Sequence, residues 1–553
     1  MPGANLKAEI INNIKNISEN MKDKYEEWVK NFNWDVPEYY SVCEVVDKTA
    51  KERGKVAIYY EDEGGNREKM TYWELRDESN RFANFLKSLG MKKGDRIIII
   101  MPRLPEVFVA QIGSFKAGAI VIPCPDMLRA KDIEYRANNS EAKTIIAHRN
   151  STNFVDELRN QIGVENYIIV DGEKDGWISY KEIRKESRNF EYEMIKSSDI
   201  MTINYTSGTT GEPKGVMHNH AWIYCMAKTN AVYWWNAKPN ELLWATTSPG
   251  WAKWFWSPIG VALAIGASQL IYNGRFNAKK YLELMEKYRI NRFCSTPTEY
   301  RLFAQEDLES YDLKDMKKFL SAGEALNREV IDRFKKAYGL LIYDGYGQTE
   351  TTGLVCNYDG IKVKPGSMGK PMPGAGIEIV DENGNILPAG QTGQIAVPIK
   401  HPGLMVGYWN GKRIEELAVN GFYLTGDLAR KDEEGYIWFE GRADDVIKSS
   451  GYRIGPFEVE DALVKHPAVL EAAVVASPDK IRGNIVKAFV VLAKGYKPSE
   501  KLVDELQEFV KKNTAPYKYP REIEFVENLP KTISGKIKRA ELRELERKRK
   551  GFI

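Results

Sequence analysis

The chain of 553 residues is poor in cysteine and histidine, with five of each. Its cysteines (Cys43, Cys124, Cys225, Cys294 and Cys356) lie far apart and form no CxxC pair. We therefore expect reduced thiols, with no disulfide framework and no cysteine metal site. The charges are also nearly balanced, with 80 basic and 77 acidic residues. The net charge of +3 gives no indication of a nucleic-acid partner or of an anionic membrane surface.

Long apolar runs are missing as well. The most apolar stretches, 97–101 and 256–272, are too short or too rich in glycine to span a bilayer, which needs about 20 apolar residues. The first twenty residues contain no apolar core of signal-peptide length. We therefore expect a cytoplasmic protein without an integral membrane segment. The sequence leaves the oligomeric state open, with a homo-oligomer as one option.

The N-terminal part of the chain alternates two kinds of hydrophobic pattern. Short β-branched runs, such as RIIIIM at 96–101, are typical of strands buried in parallel sheets. Amphipathic stretches such as 71–89 separate them, and Thr71 with Glu74 matches the capping box that starts a helix. This alternation predicts parallel sheets with helices on their faces. Residues 1–45 are expected to form an arm packed on this body.

Two changes of pattern divide the rest of the chain, whose length predicts more than one domain. From about 367 to 440, short strands alternate with glycine-rich turns, and Asn383-Gly384 is a strong hairpin signal. Residues 445–553 have the pattern of a compact α+β domain that ends in a charged helix over 533–550. The predicted fold class is α/β. A large N-terminal domain of parallel-rich sheets over 1–443, which includes the small β-rich subdomain, is joined to a small, mobile α+β C-terminal domain.

The most informative segment is YTSGTTGEPKG at 205–215. Glycines let backbone N–H groups approach an anion, hydroxyl groups donate further hydrogen bonds, and Lys214 adds positive charge, so the segment fits a phosphate-binding loop. It is not a Walker A loop, because Glu212 and Pro213 separate Gly211 from the lysine. Composition alone leaves a flexible surface loop as an equal alternative.

This loop resembles the signature of the adenylate-forming superfamily, which comprises acyl-CoA synthetases, firefly-type luciferases and the adenylation domains of peptide synthetases. The other motifs follow in the family's order: SAGEAL at 321–326, DGYGQTE at 344–350, YLTGD at 423–427, GRADDVIKSSGYRIGP at 441–456 and LPKTISGKIKR at 529–539. Because five further motifs match in order, the resemblance covers essentially the whole chain.

The resemblance implies a site for ATP and AMP. The residues that it implies for nucleotide binding are Thr206, Ser207, Gly208, Thr209, Thr210, Gly211, Lys214, Gly323, Glu324, Ala325, Asp344, Gly345, Tyr346, Gly347, Gln348, Asp427, Arg442 and Arg453. Among these residues, Tyr346 would stack on adenine. Asp427 would hold the ribose hydroxyl groups, with Arg442 close by.

Three residues are implied in catalysis. Glu350 would hold Mg²⁺, which commonly binds one or two carboxylates together with phosphates. Thr349 is placed near the reacting carboxylate and the α-phosphate. Lys536 is the implied catalytic ammonium, which neutralises the charge that develops between the carboxylate oxygen and the α-phosphate. Asp444 matches the family's hinge position, about which the C-terminal domain turns between two orientations.

Cationic residues of the C-terminal domain favour coenzyme A as the acceptor. Arg482 and the Tyr519-Pro520-Arg521 segment resemble CoA-binding segments of medium-chain acyl-CoA synthetases, and positive charge suits the 3′-phosphate of CoA. The same residues could equally be ordinary surface positions. In the orientation for the second step, Ser450, Gly451 and Tyr452 are further implied to bind CoA.

The acyl pocket is expected in the tryptophan-rich zone 222–256. Within it, Trp251, Lys253 and Trp254 belong to a segment that resembles the matching region of medium-chain enzymes. Crowded indoles shorten a pocket and favour a small, branched or medium-length acyl group, although aromatic residues here could also be plain core. The sequence does not decide whether Lys253 points to solvent or narrows the pocket.

We therefore predict an ATP-dependent acyl-CoA synthetase that uses ATP, Mg²⁺ and CoA. It would convert a small-molecule carboxylic acid, of medium or branched short chain, into acyl-CoA, AMP and pyrophosphate through an acyl-adenylate. One alternative is an aryl-CoA ligase on the same scaffold. The other is a nucleotide-binding relative that no longer catalyses. Such a relative would be expected to lack Glu350, Lys536 or the loop hydroxyl groups, all of which are present.

Overall fold

A computed structural model describes residues 25–206, 212–323, 326, 328–449, 452–479, 482–531 and 537–551, with only the backbone of Lys448, Tyr452 and Arg453. Within these ranges the chain is a mixed α/β protein with five sheets. None of its helices there has the length and apolar character that a membrane span requires.

The described residues form 27 β-strands. They are β1 (Val56–Asp62), β2 (Arg67–Thr71), β3 (Arg96–Ile100), β4 (Ile120–Cys124), β5 (Thr144–Ala147), β6 (Asn166–Ile169), β7 (Ile178–Ser179), β8 (Ile200–Thr206), β9 (Lys214–Asn219), β10 (Leu242–Ala245), β11 (Ser268–Asn273), β12 (Arg292–Ser295), β13 (Lys318–Ala322), β14 (Ile342–Gly347), β15 (Gly353–Cys356), β16 (Lys370–Pro371), β17 (Glu378–Val380), β18 (Thr392–Pro398), β19 (Gly407–Tyr408), β20 (Ala418–Val419), β21 (Phe422–Lys431), β22 (Ile437–Arg442), β23 (Ile447–Ser449), β24 (Tyr452–Ile454), β25 (Val469–Asp479), β26 (Gly483–Leu492) and β27 (Glu522–Phe525).

The α-helices follow in the same way. They are α1 (Tyr25–Asn31), α2 (Val42–Thr49), α3 (Tyr72–Ser88), α4 (Pro105–Lys116), α5 (Ala130–Ser140), α6 (Arg149–Asp156), α7 (Ala221–Lys228), α8 (Ala252–Trp254), α9 (Ala278–Tyr288), α10 (Pro297–Phe303), α11 (Arg328–Tyr338), α12 (Pro456–Val464), α13 (Glu500–Asn513) and α14 (Arg539–Arg549). Two π-helical segments, Asn230–Trp234 and Phe255–Ala262, lie in the tryptophan-rich zone.

Two large sheets form the body of the protein. One has the order β16-β15-β14-β13-β12-β10-β11-β1-β2, and the other has the order β19-β9-β8-β4-β3-β5-β6-β7. Most neighbouring strands are parallel, as the β-branched runs predict, whereas β2, β9, β15, β16 and β19 pair antiparallel. Strands β4, β5 and β13 are buried along their whole length, in keeping with the mostly apolar sequences of β4 and β5.

Helices α3 and α4 pack against each other in the largest core. The predicted capping box starts α3, because the Glu74 backbone N–H donates to Thr71 Oγ1 at 3.1 Å and the Thr71 N–H donates to the Glu74 carboxylate at 2.8 Å. Almost every residue of α4 is buried, as expected for a helix that is apolar on all faces. Close packing requires Gly113, since a Cβ there would lie 2.8 Å from the Ser79 carbonyl oxygen.

The rest of the chain forms three smaller sheets. Strands β17, β18, β21 and β20 with β22 form the β-rich unit, and β25, β26 and β27 form the C-terminal sheet. The turn at Asn383-Gly384 is present, with Gly384 at φ +78°, but Ile386 makes only a single bridge to Val380 instead of a second strand. The described part of the N-terminal arm packs on the body, where Trp34 Nε1 donates to the Gly374 carbonyl at 2.8 Å.

The last helix is shorter than predicted. The sequence predicted a helix from Ile533, but α14 begins at Arg539. Ile537 instead forms an antiparallel bridge with Lys531, and the Lys538 N–H donates to the Pro530 carbonyl at 2.9 Å. Ile537 and Lys538 are therefore not helical, although the charged pattern predicted a helix there.

A buried ion pair joins the amino ends of three parallel strands. Glu241, just before β10, accepts hydrogen bonds from Arg292 at 2.5 and 3.1 Å and from Lys317 at 2.9 Å. Burial raises the pKa of Glu241, but the hydrogen bonds and charges of Arg292 and Lys317 outweigh it and hold the pKa below its ordinary value. This pair fixes β10, β12 and β13 relative to one another.

We expect the substitution Glu241→Ala to lower the free energy of unfolding by about 3–5 kcal/mol, because it leaves Arg292 buried without its carboxylate. Urea unfolding followed by tryptophan fluorescence measures this change. The matched control is Asp312→Ala, which removes the partner of Lys314 in an exposed ion pair and should leave the urea midpoint unchanged. Equal midpoints for the two variants would contradict the structural role of Glu241.

Candidate active site

The predicted phosphate loop connects two adjacent strands. Thr206 ends β8, Lys214 begins β9, and the two residues face each other in the antiparallel pair. Thr206 Oγ1 donates to the Lys214 carbonyl oxygen at 3.5 Å. Several predicted site residues lie outside the described residues: Ser207, Gly208, Thr209, Thr210, Gly211, Glu324, Ala325, Ser450, Gly451 and Lys536, together with the side chains of Tyr452 and Arg453.

Three of the predicted nucleotide-binding residues donate hydrogen bonds to the buried carboxylate of Asp427. Its Oδ2 accepts hydrogen bonds from the Tyr346 hydroxyl at 2.7 Å and from Gln348 Nε2 at 2.6 Å. Its Oδ1 accepts one from Arg442 Nη1 at 3.1 Å. Asp427 lies opposite Arg442 in the β21–β22 pair, whereas Tyr346 and Gln348 come from the end of β14. A second lone pair on Oδ1 therefore stays available for a ligand hydroxyl group.

Glu350 lies next to the base of the phosphate loop. Its Oε1 accepts a hydrogen bond from the Tyr408 hydroxyl at 3.1 Å, and the Lys214 ammonium lies 5.3 Å from the centre of the Tyr408 ring. Burial raises the pKa of Glu350 above its ordinary value. The ring of Tyr408 thus separates the predicted metal-binding carboxylate from the loop lysine.

The residues at Glu350 fit a magnesium ion that also binds phosphate oxygens. The described residues contain no group of three or more His, Cys, Asp or Glu side chains that could hold a metal ion by themselves. Mg²⁺ commonly uses one or two carboxylates and takes its other ligands from phosphates and water. A single buried carboxylate with a raised pKa suits this arrangement, because a bound cation would favour its ionised form.

Thr349 is held through its backbone by a buried histidine. His218 Nε2 lies 2.6 Å from the Thr349 carbonyl oxygen, so this nitrogen must carry the proton. Burial lowers the pKa of His218 to about 3, and the ring stays neutral at ordinary pH. The imidazole stacks on Trp222 at 3.7 Å, and Trp222 Nε1 donates to the Thr351 carbonyl at 2.9 Å. Strand β9 and helix α7 therefore fix the segment around Thr349.

Two glycines of β14 face tryptophan rings. A Cβ on Gly345 would lie 2.6 Å from Trp234, and a Cβ on Gly347 would lie 2.2 Å from Trp256. Any side chain at these positions would displace the indoles. Gly323, at the end of β13, adopts φ +118°, a conformation that favours glycine, and a Cβ there would have open space around it.

The predicted acyl-pocket residues differ in their surroundings. Trp254 is buried, packs on Phe108 and donates from Nε1 to Gln111 Oε1 at 2.9 Å. Trp251 is partly exposed and caps helix α8. Trp244, from the same zone, packs in a separate core against Tyr281 and Phe293, so part of the tryptophan-rich zone is ordinary core.

The predicted CoA residues lie on the C-terminal sheet, apart from the Asp427 cluster. Arg482 is exposed in the turn between β25 and β26, where its N–H donates to Asp479. Arg521 Nη1 donates to the Tyr519 hydroxyl at 2.8 Å, and the Lys511 ammonium lies 4.3 Å from the centre of the Tyr519 ring. The Arg521 N–H donates to the Val486 carbonyl on β26, the strand that begins just after Arg482. Arg482 and Arg521 therefore lie beside the same strand, and Lys511 of α13 lies beside Tyr519.

Residues on the two sides of Asp444 are held by different parts of the chain. On one side, the Ala443 N–H donates to the Gly426 carbonyl at 2.8 Å, and Arg442 pairs with Asp427. On the other side, Asp445 pairs with Arg543 of α14. Asp444 itself is exposed and lies between these anchors.

Sequence reasoning missed two residues of this site. Tyr408 reaches Glu350 because β19 pairs with β9, and His218 reaches Thr349 from β9 itself. The sequence contains one signal for His218. It follows Lys214 by four residues, and side chains at even spacing lie on the same face of a strand, so both are expected on one face of β9. No local pattern marks Tyr408, because its contact depends on a strand pairing across nearly two hundred residues.

Comparison with known proteins gives consistent matches along the chain. Residues 46–409 match the family model for AMP-binding enzymes, and residues 458–536 match the model for the AMP-binding enzyme C-terminal domain. The chain is 49% identical over 514 residues to the uncharacterized acyl-CoA ligase YtcI of Bacillus subtilis (strain 168), covering 92% of this chain and 97% of that protein.

Two further relatives extend this comparison. The mitochondrial acyl-coenzyme A synthetase ACSM3 of Rattus norvegicus is 42% identical over 542 residues, with 94% of this chain and 93% of that protein covered. Among solved structures, the anthranilate CoA ligase AuaEII in complex with anthranoyl-AMP superposes with a TM-score of 0.86 at 28% identity, covering 94% of this chain and 99% of that one.

We expect the substitution Asp427→Ala to weaken AMP binding by about 10- to 100-fold, because it removes the acceptor that orders Tyr346 and Arg442 and would receive a ribose hydroxyl group. Isothermal titration calorimetry measures this loss. The matched control is Asp432→Ala, which removes a carboxylate that accepts from Trp438 and Lys364 elsewhere in the β-rich unit. Unchanged AMP affinity in Asp427→Ala, or an equal loss in the control, would contradict the assignment.

Proposed function

The chain belongs to the AMP-binding enzyme family and is an ATP-dependent, AMP-forming acyl-CoA ligase, and on this premise we propose that it activates medium-chain or short branched carboxylic acids in the cytoplasm. Its substrates are ATP, CoA and a carboxylic acid. The residue assignments rest mainly on the hydrogen bonds around Asp427. They connect the end of β14 with Arg442, which lies two residues before the proposed hinge, Asp444.

The reaction proceeds in two steps. In the first, a carboxylate oxygen of the acid attacks the α-phosphorus of ATP, the bond to the bridging oxygen of pyrophosphate breaks, and acyl-AMP forms. In the second, the CoA thiol loses its proton and attacks the acyl carbon, and AMP leaves with the electron pair of the broken C–O bond. Both steps need the nucleotide held in one place, which is the role that we assign to Asp427, Tyr346 and Gly323.

Positive groups at two places would balance the negative charge of the phosphates. Glu350 would hold Mg²⁺, which neutralises the β- and γ-phosphates when it is bound. Lys214, at the start of β9, and the hydroxyl-rich loop before it would contact the phosphates. His218 holds the Thr349 carbonyl oxygen, and the Thr349 hydroxyl group would donate to the α-phosphate. Lys536 supplies the ammonium between the carboxylate and the α-phosphate.

Asp444 is the proposed hinge between the 1–443 and 445–553 domains. The anchors on its two sides support this assignment, because the Ala443 N–H bonds to Gly426 and Asp445 bonds to Arg543. Rotation about Asp444 would break the hydrogen bond from the Asp445 N–H to the Arg442 carbonyl oxygen at 3.0 Å and the Arg442–Asp444 ion pair at 3.5 Å. Because α14 directly follows the Lys536 segment, the Asp445–Arg543 pair would make that segment turn with the hinge.

The cations of the C-terminal sheet are the proposed site for the CoA 3′-phosphate. Arg521 and Lys511 flank the Tyr519 ring, and Arg482 lies further along the same strand. Arginine and lysine bind phosphate through charge-assisted hydrogen bonds. In the second orientation, Ser450, Gly451, Tyr452 and Arg453 would face the active site.

The shape of the acid pocket favours compact acyl groups. Trp256 and Trp234 lie directly against the glycines of β14, where they take up space that a long chain would need. This crowding supports acids of short branched or medium chain. Flat indole walls also suit an aromatic ring, and the similarity to the anthranilate CoA ligase structure makes an aryl acid the second candidate.

We expect AMP and pyrophosphate to be released when the protein is incubated with ATP, Mg²⁺, CoA and a panel of C2–C10 straight, branched and aryl acids. The highest kcat/KM should fall on a short branched or medium-chain acid, because the indoles limit the pocket. Chromatographic separation of AMP from ADP and mass spectrometry of the acyl-CoA measure this. Release of ADP would contradict the acyl-adenylate route, and a maximum on benzoate-type acids would favour the aryl alternative.

We expect the substitution Lys536→Ala to lower the rate of the adenylation half-reaction by at least about 100-fold, because a preorganised cation stabilises the transition state by several kcal/mol. Conversion of supplied acyl-AMP and CoA into acyl-CoA should stay near the wild-type rate, since that step uses the other domain orientation. Single-turnover assays of the two half-reactions measure the split.

The matched control for Lys536 is Lys538→Ala, which removes an exposed lysine two residues away that pairs with Glu541. This variant should retain both half-reactions. An equal decrease of both half-reactions in a folded Lys536→Ala protein would show that the lysine does not act only in adenylation.

A further inference from the structure

Lys253 carries an enclosed ammonium that forms no ion pair with a described carboxylate, and the described side chain that interacts with it as a hydrogen-bond partner is the thiol of Cys294, a weak acceptor. Its neighbours in sequence, Trp251 and Trp254, belong to the proposed acid pocket, and helix α8 leads directly into the π-helical segment 255–262. π-helical turns occur frequently at functional sites. The stem of the side chain is partly exposed, whereas Nζ is enclosed.

The other buried lysines of the described chain are all paired with carboxylates. The four pairs and their distances are Lys116–Asp47 at 2.7 Å, Lys228–Asp35 at 3.6 Å, Lys318–Asp359 at 2.8 Å and Lys487–Glu546 at 2.8 Å. Enclosing an ammonium without an acceptor is strongly unfavourable. Within the described residues this requirement is met by a carboxylate at the four structural lysines, whereas Lys253 has only a thiol beside it.

The groups nearest to Lys253 lie at the carboxyl ends of parallel strands. Burial raises the pKa of Cys294 on β12 and of Asp344 on β14, and the charge of Lys253 acts on both in the opposite direction, which shows that the ammonium lies close to them. In open α/β sheets, substrates bind at this edge. Lys253 is therefore located where a substrate would be, and not within a structural ion-pair network.

Asp344 does not serve as the counterion of Lys253. Its Oδ1 is also buried without a hydrogen-bond partner, and burial raises the pKa of Asp344 well above its ordinary value, which favours the neutral acid. Trp256 Nε1 is likewise buried without a hydrogen-bond partner among the described residues. An entirely aliphatic substrate would leave these polar atoms, and Lys253 above all, unsatisfied.

We propose that the acid activated by this protein carries a second oxygen function on its chain, and that this oxygen accepts a hydrogen bond from Lys253 Nζ. The shared chemistry is an acceptor oxygen, which a hydroxyl, an oxo group or a second carboxylate can supply. The proposal rests on the proposed function and adds to it the substrate class: an oxygen-substituted short or medium-chain acid. Lys253 is then a specificity-determining residue.

The test compares matched acids in wild-type protein and in the variant Lys253→Met, which keeps the length of the side chain and removes its charge. Each C4–C8 acid is paired with its hydroxy, oxo and dicarboxylic derivatives of the same length, and kcat/KM is measured from AMP release. We expect the wild type to prefer one derivative class over the unsubstituted acid by about 10- to 100-fold. Lys253→Met should lose this preference and gain activity on the unsubstituted acid.

Two further variants keep the test decisive. Lys253→Arg retains the cation and should retain a preference for the same class, even if Lys253→Met proves unstable. Lys279→Met removes an exposed lysine whose Nζ lies 4.0 Å from Glu306 and should behave as the wild type.

The outcomes that overturn the proposal are distinct from failure of the proposed function. A wild-type protein that favours unsubstituted acids at every length would overturn it. An equal loss on all acids in Lys253→Met would also overturn it, because Lys253 would then bind the reacting carboxylate. If no acid of the panel gave AMP, the proposed function would fail. Among the three derivatives, the preferred class identifies the oxygen function.

Discussion

The carboxylate of Asp427 accepts hydrogen bonds from two different sheets. Tyr346 and Gln348 reach it from the end of β14 in the nine-stranded sheet, and Arg442 reaches it from β22 in the β-rich unit. This shared acceptor fixes the β-rich unit against the large sheet at the point where a nucleotide would bind. Because Arg442 lies two residues before Asp444, the same carboxylate also holds the N-terminal side of the proposed hinge. Under the proposed assignments, nucleotide binding and domain rotation would therefore share one anchor.

The carboxylates of Asp427 and Glu350 have different electrostatic surroundings. Arg442 balances the charge of Asp427 directly. Glu350 has only the neutral Tyr408 hydroxyl as its donor among the described side chains, and its pKa is raised by burial. A cation bound beside such a carboxylate would favour its ionised form. Under the proposed assignment, Glu350 would supply one ligand of a metal site and the phosphates would supply others.

Local sequence patterns predicted those parts of the fold that local patterns determine. The strand β3 and the capping box of α3 follow from short-range patterns, and the structure confirms them. The predicted start of the last helix was wrong because a bridge between Ile537 and Lys531 overrides the helical pattern. The contact of Tyr408 with Glu350 depends on the pairing of distant strands, and the enclosure of the Lys253 ammonium depends on three-dimensional packing. Neither can be read from neighbouring residues.

Strand β14 has two faces with separate tasks. Tyr346 points towards Asp427, whereas Gly345 and Gly347 meet Trp234 and Trp256 on the other face, as the alternation of side chains along a strand requires. Under the proposed assignments, the nucleotide contacts and the walls of the acid pocket would therefore be built on one strand but use different residues. A substitution among the tryptophans, or at Lys253, would then change the acid that fits without altering the Asp427 cluster. Such a separation would allow one adenylating scaffold to accept chemically different acids.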